Sequence, residues 1–374
     1  MHQSHKASIS EAAGYVAALA VLALGFLVSC ASVPDLPSGA VEPFQEQASE
    51  WVGRAADRGV FSGYVVVGTR DGIAWQGGFG SDGLGGKPRA DHAYSIGSVT
   101  KVITGMAVLD AADRGLLSLD DTLERWFPGF PGGDAIRLTH LLEHSSGLPE
   151  ISERPFFWLR LAREVTFEEH YRYISTARRK FSPGERFSYC NSGYILLGRI
   201  LELASGLPYG EYVRTRIAVP LGLETLEIDD GGIRPDRLRG FLQIEPFAVR
   251  GLREHPSQPM AAGSALCRPV DLYRLGAMAV GQDESLISRI GEARMEAWEG
   301  MSYGYGAFTG VVDIDGTSRR ILWHSGGHGG FASMLSAYPD DGLVIVVLAN
   351  IRNPAHWFIG EEIEAGLAKL YFRQ

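Results

Sequence analysis

The chain is sparing in several features, and each scarcity narrows what it can be. Three cysteines in 374 residues cannot staple the molecule, so a buried core must hold it together. Lys and Arg total 35 against 44 acidic residues, no basic block occurs, and the formal charge is −9. That removes the electrostatic footprint that nucleic-acid binding needs. No internal repeat is visible, and no serine sits in a G-x-S-x-G elbow. One long apolar run exists, near the N-terminus. What remains, with 45% apolar and 21% charged residues, is an ordinary globular composition with room for one large domain or two smaller ones.

The apolar run spans Ala12 to Val28, after a polar segment whose only Lys or Arg is Lys6. It ends in Leu27-Val28-Ser29-Cys30, which resembles a bacterial lipobox. The expectation is a lipoprotein signal peptide over residues 1–29, a lipid on Cys30, a Pro-containing tether over 30–43 and a soluble body over 44–374. An uncleaved membrane anchor competes with it, since the run lies at the short edge of the spanning range. Ala31 after the cysteine is not the aspartate of an inner-membrane retention signal. The expected location is therefore the bacterial cell envelope, on the outer membrane facing the periplasm where one exists.

From Phe44 the pattern turns helical, with Phe44, Ala48, Trp51, Val52 and Ala55 on one face. Residues Gly63 to Thr69 and Ile73 to Phe79 alternate toward β around the hairpin signal Asp71-Gly72. The far end mirrors this. Val311 to Ile314 and Ile321 to Trp323 flank Asp315-Gly316, Phe331 to Tyr338 and Leu343 to Leu348 read as further strands, and a last helix aligns Ile359, Ile363, Leu367 and Leu370. Residues from about 98 to 300 read as helix or loop. Strands from both ends pair most simply into one antiparallel sheet flanked by terminal helices, with a helical lobe inserted: an α/β (α+β) fold in one composite domain.

Three segments carry chemistry. In Ser98-Val99-Thr100-Lys101, at a helix start, the serine and lysine lie one turn apart on one face, so the amine can reach the hydroxyl. The helix N-terminus offers unpaired N–H groups to a developing oxyanion. The bland reading is an N-cap with a solvated lysine. In Ser188-Tyr189-Cys190-Asn191, Tyr189 and Asn191 flank one small residue and can point the same way, and a tyrosine beside an ammonium suits a base. Its bland reading is a core tyrosine and an N-cap asparagine. Finally, Trp323-His324-Ser325-Gly326-Gly327-His328-Gly329-Gly330 leaves a predicted edge strand as permissive backbone that a substrate can approach closely, or simply as a glycine-rich loop.

The order Ser-x-x-Lys, Tyr-x-Asn, His-Ser-Gly resembles the penicillin-recognising serine hydrolases, and most of all the class C β-lactamase-related branch with its esterases and D-amino-acid peptidases. Gly115 to Asp121, Leu141 to Leu148, and Ala262-Gly263-Ser264 leading to Asp271-Leu272 match that branch too, so the likeness runs over roughly residues 44 to 372. It implies an acyl-enzyme on Ser98, a base role shared by Lys101 and Tyr189, and an oxyanion hole from the N–H groups of Ser98 and Gly327. Asn191 would hold a substrate carbonyl or orient Lys101, and His324 would contact substrate. It implies no metal or organic cofactor and a small-molecule or peptidoglycan-like substrate.

His324 departs from the pattern, since efficient β-lactamases carry lysine there. An unperturbed histidine at pH 7.4 is only about one-tenth protonated. The expectation is weak or absent β-lactamase activity and a preference for neutral esters or amides, with a D-amino-acid peptidase as the alternative and a non-turnover sensor or cell-wall scaffold as the reading from another class. Cys190, where the branch has a small residue, reads as a structural thiol rather than a disulfide partner of Cys267. His140-Leu141-Leu142-Glu143-His144 fits an H-x-x-E-H zinc pattern, but Ser145 to Pro149 end that helix and no third ligand follows. The Pro155-Phe156-Phe157-Trp158-Leu159 run is expected to pack the lobe. Gly85-Gly86-Lys87 lacks the flanking residues of a phosphate loop and reads as a solvated turn.

Overall fold

The computed structural model describes residues 32–36, 43–244, 247–281, 285–292, 294–353 and 358–373. The signal-peptide segment and Cys30 lie outside the described residues, and no described helix is long and apolar enough to cross a membrane.

Helix α1 (Phe44–Asp57) buries the face its periodicity marks and leads into β1 (Gly63–Thr69) and β2 (Gly72–Phe79). The other strands of the large sheet come from the far end: β3 (Met295–Trp298), β4 (Met301–Tyr303), β5 (Phe308–Ile314), β6 (Thr317–His328), β7 (Phe331–Tyr338) and β8 (Leu343–Ala349). The order is β2-β1-β8-β7-β6-β5-β4-β3, antiparallel throughout. The chain ends meet where Gly63 pairs with Ala349 and Thr69 with Leu343.

Side chains along β1 and β8 alternate between two cores, as a period of two requires. Val65, Val67, Ile345 and Val347 face α1 and the last helix, Ile359–Phe372, while Val66, Val344, Val346 and Leu348 face the inserted lobe. Gly366 on the last helix lets Trp51 lie against its backbone, since an added Cβ there would sit 2.1 Å from the indole. The lobe is built around two helices, Thr100–Asp113 and Asn191–Ser205, the first buried on nearly every side.

Three expectations need correction. The tether is not free throughout: the carbonyl of buried Pro34 accepts the Trp51 indole N–H at 2.9 Å, and Arg54 and Arg58 donate to the carbonyls of Asp35 and Ser32. A buried indole N–H needs such a partner. The region before residue 300 contributes β3 and parts of two small three-stranded sheets besides its helices, and β4 follows directly after it. The His324–Gly327 motif is no loop beyond an edge strand. It is the second half of β6, paired with β7 from Leu322↔Ala337 to His328↔Phe331.

Candidate active site

The seam between lobe and sheet gathers the motif residues. A 3₁₀ turn, Gly97–Val99, precedes the helix Thr100–Asp113 and carries Ser98. Gly97 has φ 50°, and a Cβ on it would lie 2.8 Å from the Gly327 nitrogen. Across the seam, a Cβ on Gly326 would lie 2.9 Å from the Ser98 nitrogen and 2.1 Å from the Ile96 carbonyl oxygen. The glycines of β6 are therefore the condition for the serine turn to seat against the strand. Seated so, the backbone nitrogens of Ser98 and Gly327 lie at the same junction, with Ser98 half-buried and Gly327 exposed.

Lys101 is fully buried, and its Nζ donates to Ser98 Oγ at 3.2 Å, Asn191 Oδ1 at 2.8 Å and the Ala262 carbonyl at 2.7 Å. Burial draws its pKa down to about 7, against the opposing pull of the Glu150 carboxylate. The ammonium also lies 4.8 Å from the Tyr189 ring centre and 5.5 Å from that of Tyr194. Asn191 is the first residue of its helix, with Cys190 in the capping position, so the N-cap reading is off by one.

His324 is buried at 2% exposure, its Nδ1 2.6 Å from the Ser325 carbonyl and its Nε2 3.1 Å from the Tyr303 hydroxyl. A carbonyl only accepts, so Nδ1 carries the proton and Tyr303 donates to Nε2. Burial and the Lys101 charge hold the pKa near 3, and the ring is neutral. Expected as a substrate contact, it instead has both nitrogens engaged within the protein. His144, in the left-handed region at φ 58°, accepts the Cys190 N–H on Nδ1 at 3.1 Å. Its ring sits 4.3 Å from Tyr189 and 4.6 Å from Tyr303. It braces the tyrosine segment, and His140 spends its own Nδ1 on the Arg137 N–H at 3.2 Å. No cluster of three metal-ligating side chains occurs among the described residues.

Cys190 and Cys267 are free buried thiols. The Cys190 Sγ points at the Leu148 and Pro149 carbonyls, and burial pushes its pKa up to about 12, which makes it inert. The aromatic run divides: Phe157 packs into the lobe, but Phe156 (70% exposed, φ 60°) and Leu159 (84%) do not.

Sequence reasoning missed four contributors. Glu150 binds Asn191, the Ala262 carbonyl holds Lys101, and Tyr303 engages His324. The Arg352 guanidinium lies about 3 Å from where a Gly327 Cβ would stand. A buried network also pins the turn after Gly327: Ser95 Oγ lies 3.2 Å from His328 Nδ1, and Glu254 Oε2 3.4 Å from His328 Nε2.

The sequence and the fold have known counterparts. A family model described as Beta-lactamase matches residues 42–365. The chain belongs to the beta-lactamase family. Members of the family are serine hydrolases. Penicillin-binding protein 4* of Bacillus subtilis is 25% identical over 285 residues, 70% of this chain and 61% of that protein, so the chain spans under two thirds of that relative's length. The D-alanyl-D-alanine-carboxypeptidase/endopeptidase AmpH of Escherichia coli K12 is 26% identical over 300 residues, 72% of this chain and 73% of that one. The octameric penicillin-binding protein homologue from Pyrococcus abyssi superposes with a TM-score of 0.75 at 26% identity, covering 88% of this chain and 77% of that one. The D-amino acid amidase of Ochrobactrum anthropi shares the fold, with a TM-score of 0.75 at 21% identity over 88% of this chain and 98% of that one.

Proposed function

We propose that this beta-lactamase-family chain is a serine hydrolase that acts through an acyl-enzyme on Ser98, with neutral esters or amides as its substrates. The observation that carries the chemistry is Lys101. A fully buried amine with a pKa near 7 stands 3.2 Å from the serine hydroxyl. A pKa brought down toward neutrality leaves free amine to accept the serine proton at neutral pH, the condition for an effective base. Ser98 Oγ attacks the carbonyl carbon as its proton passes to Lys101. The N–H groups of Ser98 and Gly327 receive the oxyanion, each worth about 3 kcal/mol by analogy with other hydrolases. Tyr189, its ring against the amine, gives its phenolic proton to the leaving group and takes in its place the proton held by Lys101. Water then attacks the acyl-enzyme by the same route in reverse.

The substrate preference rests on His324. A neutral ring with both nitrogens engaged supplies no fixed charge for a substrate carboxylate. One observation favours a second reading, a D-amino-acid carboxypeptidase: Arg352 brings a cation against Gly327 from another strand. The lipid on Cys30 and an envelope location belong to this reading as well, since a tethered hydrolase meets peptidoglycan fragments and envelope esters.

The test is initial rates of a form starting at Ala31 on a p-nitrophenyl ester, a D-amino-acid peptide and a chromogenic cephalosporin, with Ser98→Ala alongside. Ester turnover that vanishes in the variant, with little cephalosporin turnover, is expected. Comparable cephalosporin turnover would sink the preference. Peptide turnover lost in Arg352→Gln would move the assignment to the second reading, and a stable Ser98 adduct without turnover would make the chain a sensor.

A further inference from the structure

Glu150 follows Pro149 at the head of the 3₁₀ turn Ile151–Glu153, and its side chain is buried. One carboxylate oxygen, Oε2, accepts the backbone N–H of Asn191 at 2.6 Å. The other, Oε1, accepts Asn191 Nδ2 at 2.9 Å and the Ser152 N–H at 3.2 Å. The segment is tied down around it, with Ser192 Oγ donating to the Pro149 carbonyl at 2.6 Å and Tyr173 OH to the Glu150 carbonyl at 3.3 Å. A buried carboxylate held by three N–H donors is satisfied, and so is rigid.

That clamp has a consequence at the nucleophile. A carboxylate only accepts, so it turns the NH₂ end of the Asn191 amide toward itself and leaves Oδ1 facing Lys101. The Ala262 carbonyl is likewise an acceptor only. A neutral lysine has two N–H bonds and one lone pair. With the two hydrogens drawn to Asn191 Oδ1 and Ala262 O, the lone pair falls to the third neighbour, Ser98 Oγ, the one partner of the three that can donate. Were the amide reversed, its NH₂ group would compete for that lone pair.

We propose that Glu150 is a positioning residue: it fixes the Asn191 amide so that the Lys101 lone pair points at the Ser98 hydroxyl. This rests on the reading of Lys101 as the base. The other titratable groups facing Lys101 come from separate elements. His144, after the helix Leu138–Leu142, and His324, on β6, are kept neutral by burial. Cys190 and Tyr194 are kept protonated by burial. Tyr189 presents its ring. Glu150 is the carboxylate among them, and it works against burial by favouring the ammonium.

The test is the rate at which a fluorophosphonate labels Ser98 as a function of pH, which needs no knowledge of the natural substrate. Ser98 Oγ bonds to phosphorus, fluoride leaves, and the serine proton goes to Lys101. In the native chain the rate rises through a midpoint near 7 to a plateau. Glu150→Gln is expected to move the midpoint to lower pH and to lower the plateau by roughly tenfold or more, a share of the 10²–10⁴ a placed base contributes. Glu150→Asp keeps the charge but shortens the reach, so its midpoint stays native while its plateau falls. Near-UV circular dichroism confirms that each variant is folded, and if the Gln variant is not, the Asp plateau decides. A folded Gln variant or an Asp variant with a native plateau overturns the proposal. No Ser98-dependent labelling of the native chain overturns the hydrolase reading and this inference with it, a pattern no loss at Glu150 produces.

Discussion

The two faces of the large sheet are buried for different ends. Toward the terminal helices, Trp51, Ile345, Val347, Ile363 and Leu367 meet in a mainly apolar core, and the buried carboxyl of Glu364 takes hydrogen bonds from Ser336 at 2.6 Å and Tyr338 at 2.8 Å. Toward the lobe the same sheet covers Lys101, His144 and His324, and each is driven from its ordinary pKa toward its neutral form by loss of water. Burial on the first face stabilises at about 25 cal/mol per Å² of apolar area. On the second, burial of these three groups costs free energy, and that cost is what readies an amine to act as a base at neutral pH. The apolar side chains packed on both faces, Val66, Val344, Val346 and Leu348 among them on the lobe side, offset it.

The largest effect expected from breaking this division is at Lys101. Lys101→Met removes the base but keeps much of the volume, so kcat/KM on the ester should fall by at least roughly 10³-fold, as when one member of a concerted catalytic unit is lost. Near-UV circular dichroism should remain native. A smaller loss would shift the base role to Tyr189. The next effect lies on the other face. Trp51→Ala should cost about 3–5 kcal/mol in urea unfolding, because a fully buried indole leaves a cavity and its bond to the Pro34 carbonyl is lost. The kcat/KM of the folded fraction should stay within about twofold. A large drop there would show that the faces are coupled.

How much of this was legible in the sequence depends on whether the signal was local. The strand pairing from both chain ends was, because alternation and the Asp-Gly turns are written in neighbouring residues, and Asp315 and Gly316 do take up φ of 50° and 83°. Ser98 and Lys101 were legible through helical spacing. The His324–Gly327 segment was misread as a loop because glycine lowers strand propensity wherever it stands. Here glycine is kept for the close approach of Gly97 and Ser98, a fact of tertiary structure. The strands β3 and β4 were missed because they are short and sit beside helical sequence. Glu150 carries no local mark at all. It lies 41 residues from the asparagine it holds, and nothing near it in sequence distinguishes it from a surface glutamate.

The smallest effect tests how much electrostatic cost the outer face itself carries. Glu361, in the first turn of the last helix, reaches the hydroxyl of Ser325, the residue after His324. Burial pushes its carboxyl up to about 7, aided by Glu364 and Glu362 and only partly offset by the Ser325 bond. A folded-state pKa above the unfolded value means that between about 4.5 and 7 the native chain holds the proton more than the unfolded chain does. Stability therefore falls as pH rises through that window, and the cost is complete above it. Glutamine has no charge to desolvate. Glu361→Gln should raise Tm by about 1–3 °C at pH 8, and the gain should shrink toward nothing by pH 5, as read by thermal melts in matched ionic strength. An equal gain at both pH values would trace the effect to packing alone. No gain at pH 8 would mean that the Ser325 hydroxyl already compensates the carboxylate, and that electrostatic cost is confined to the lobe side of the sheet, where Lys101 needs it.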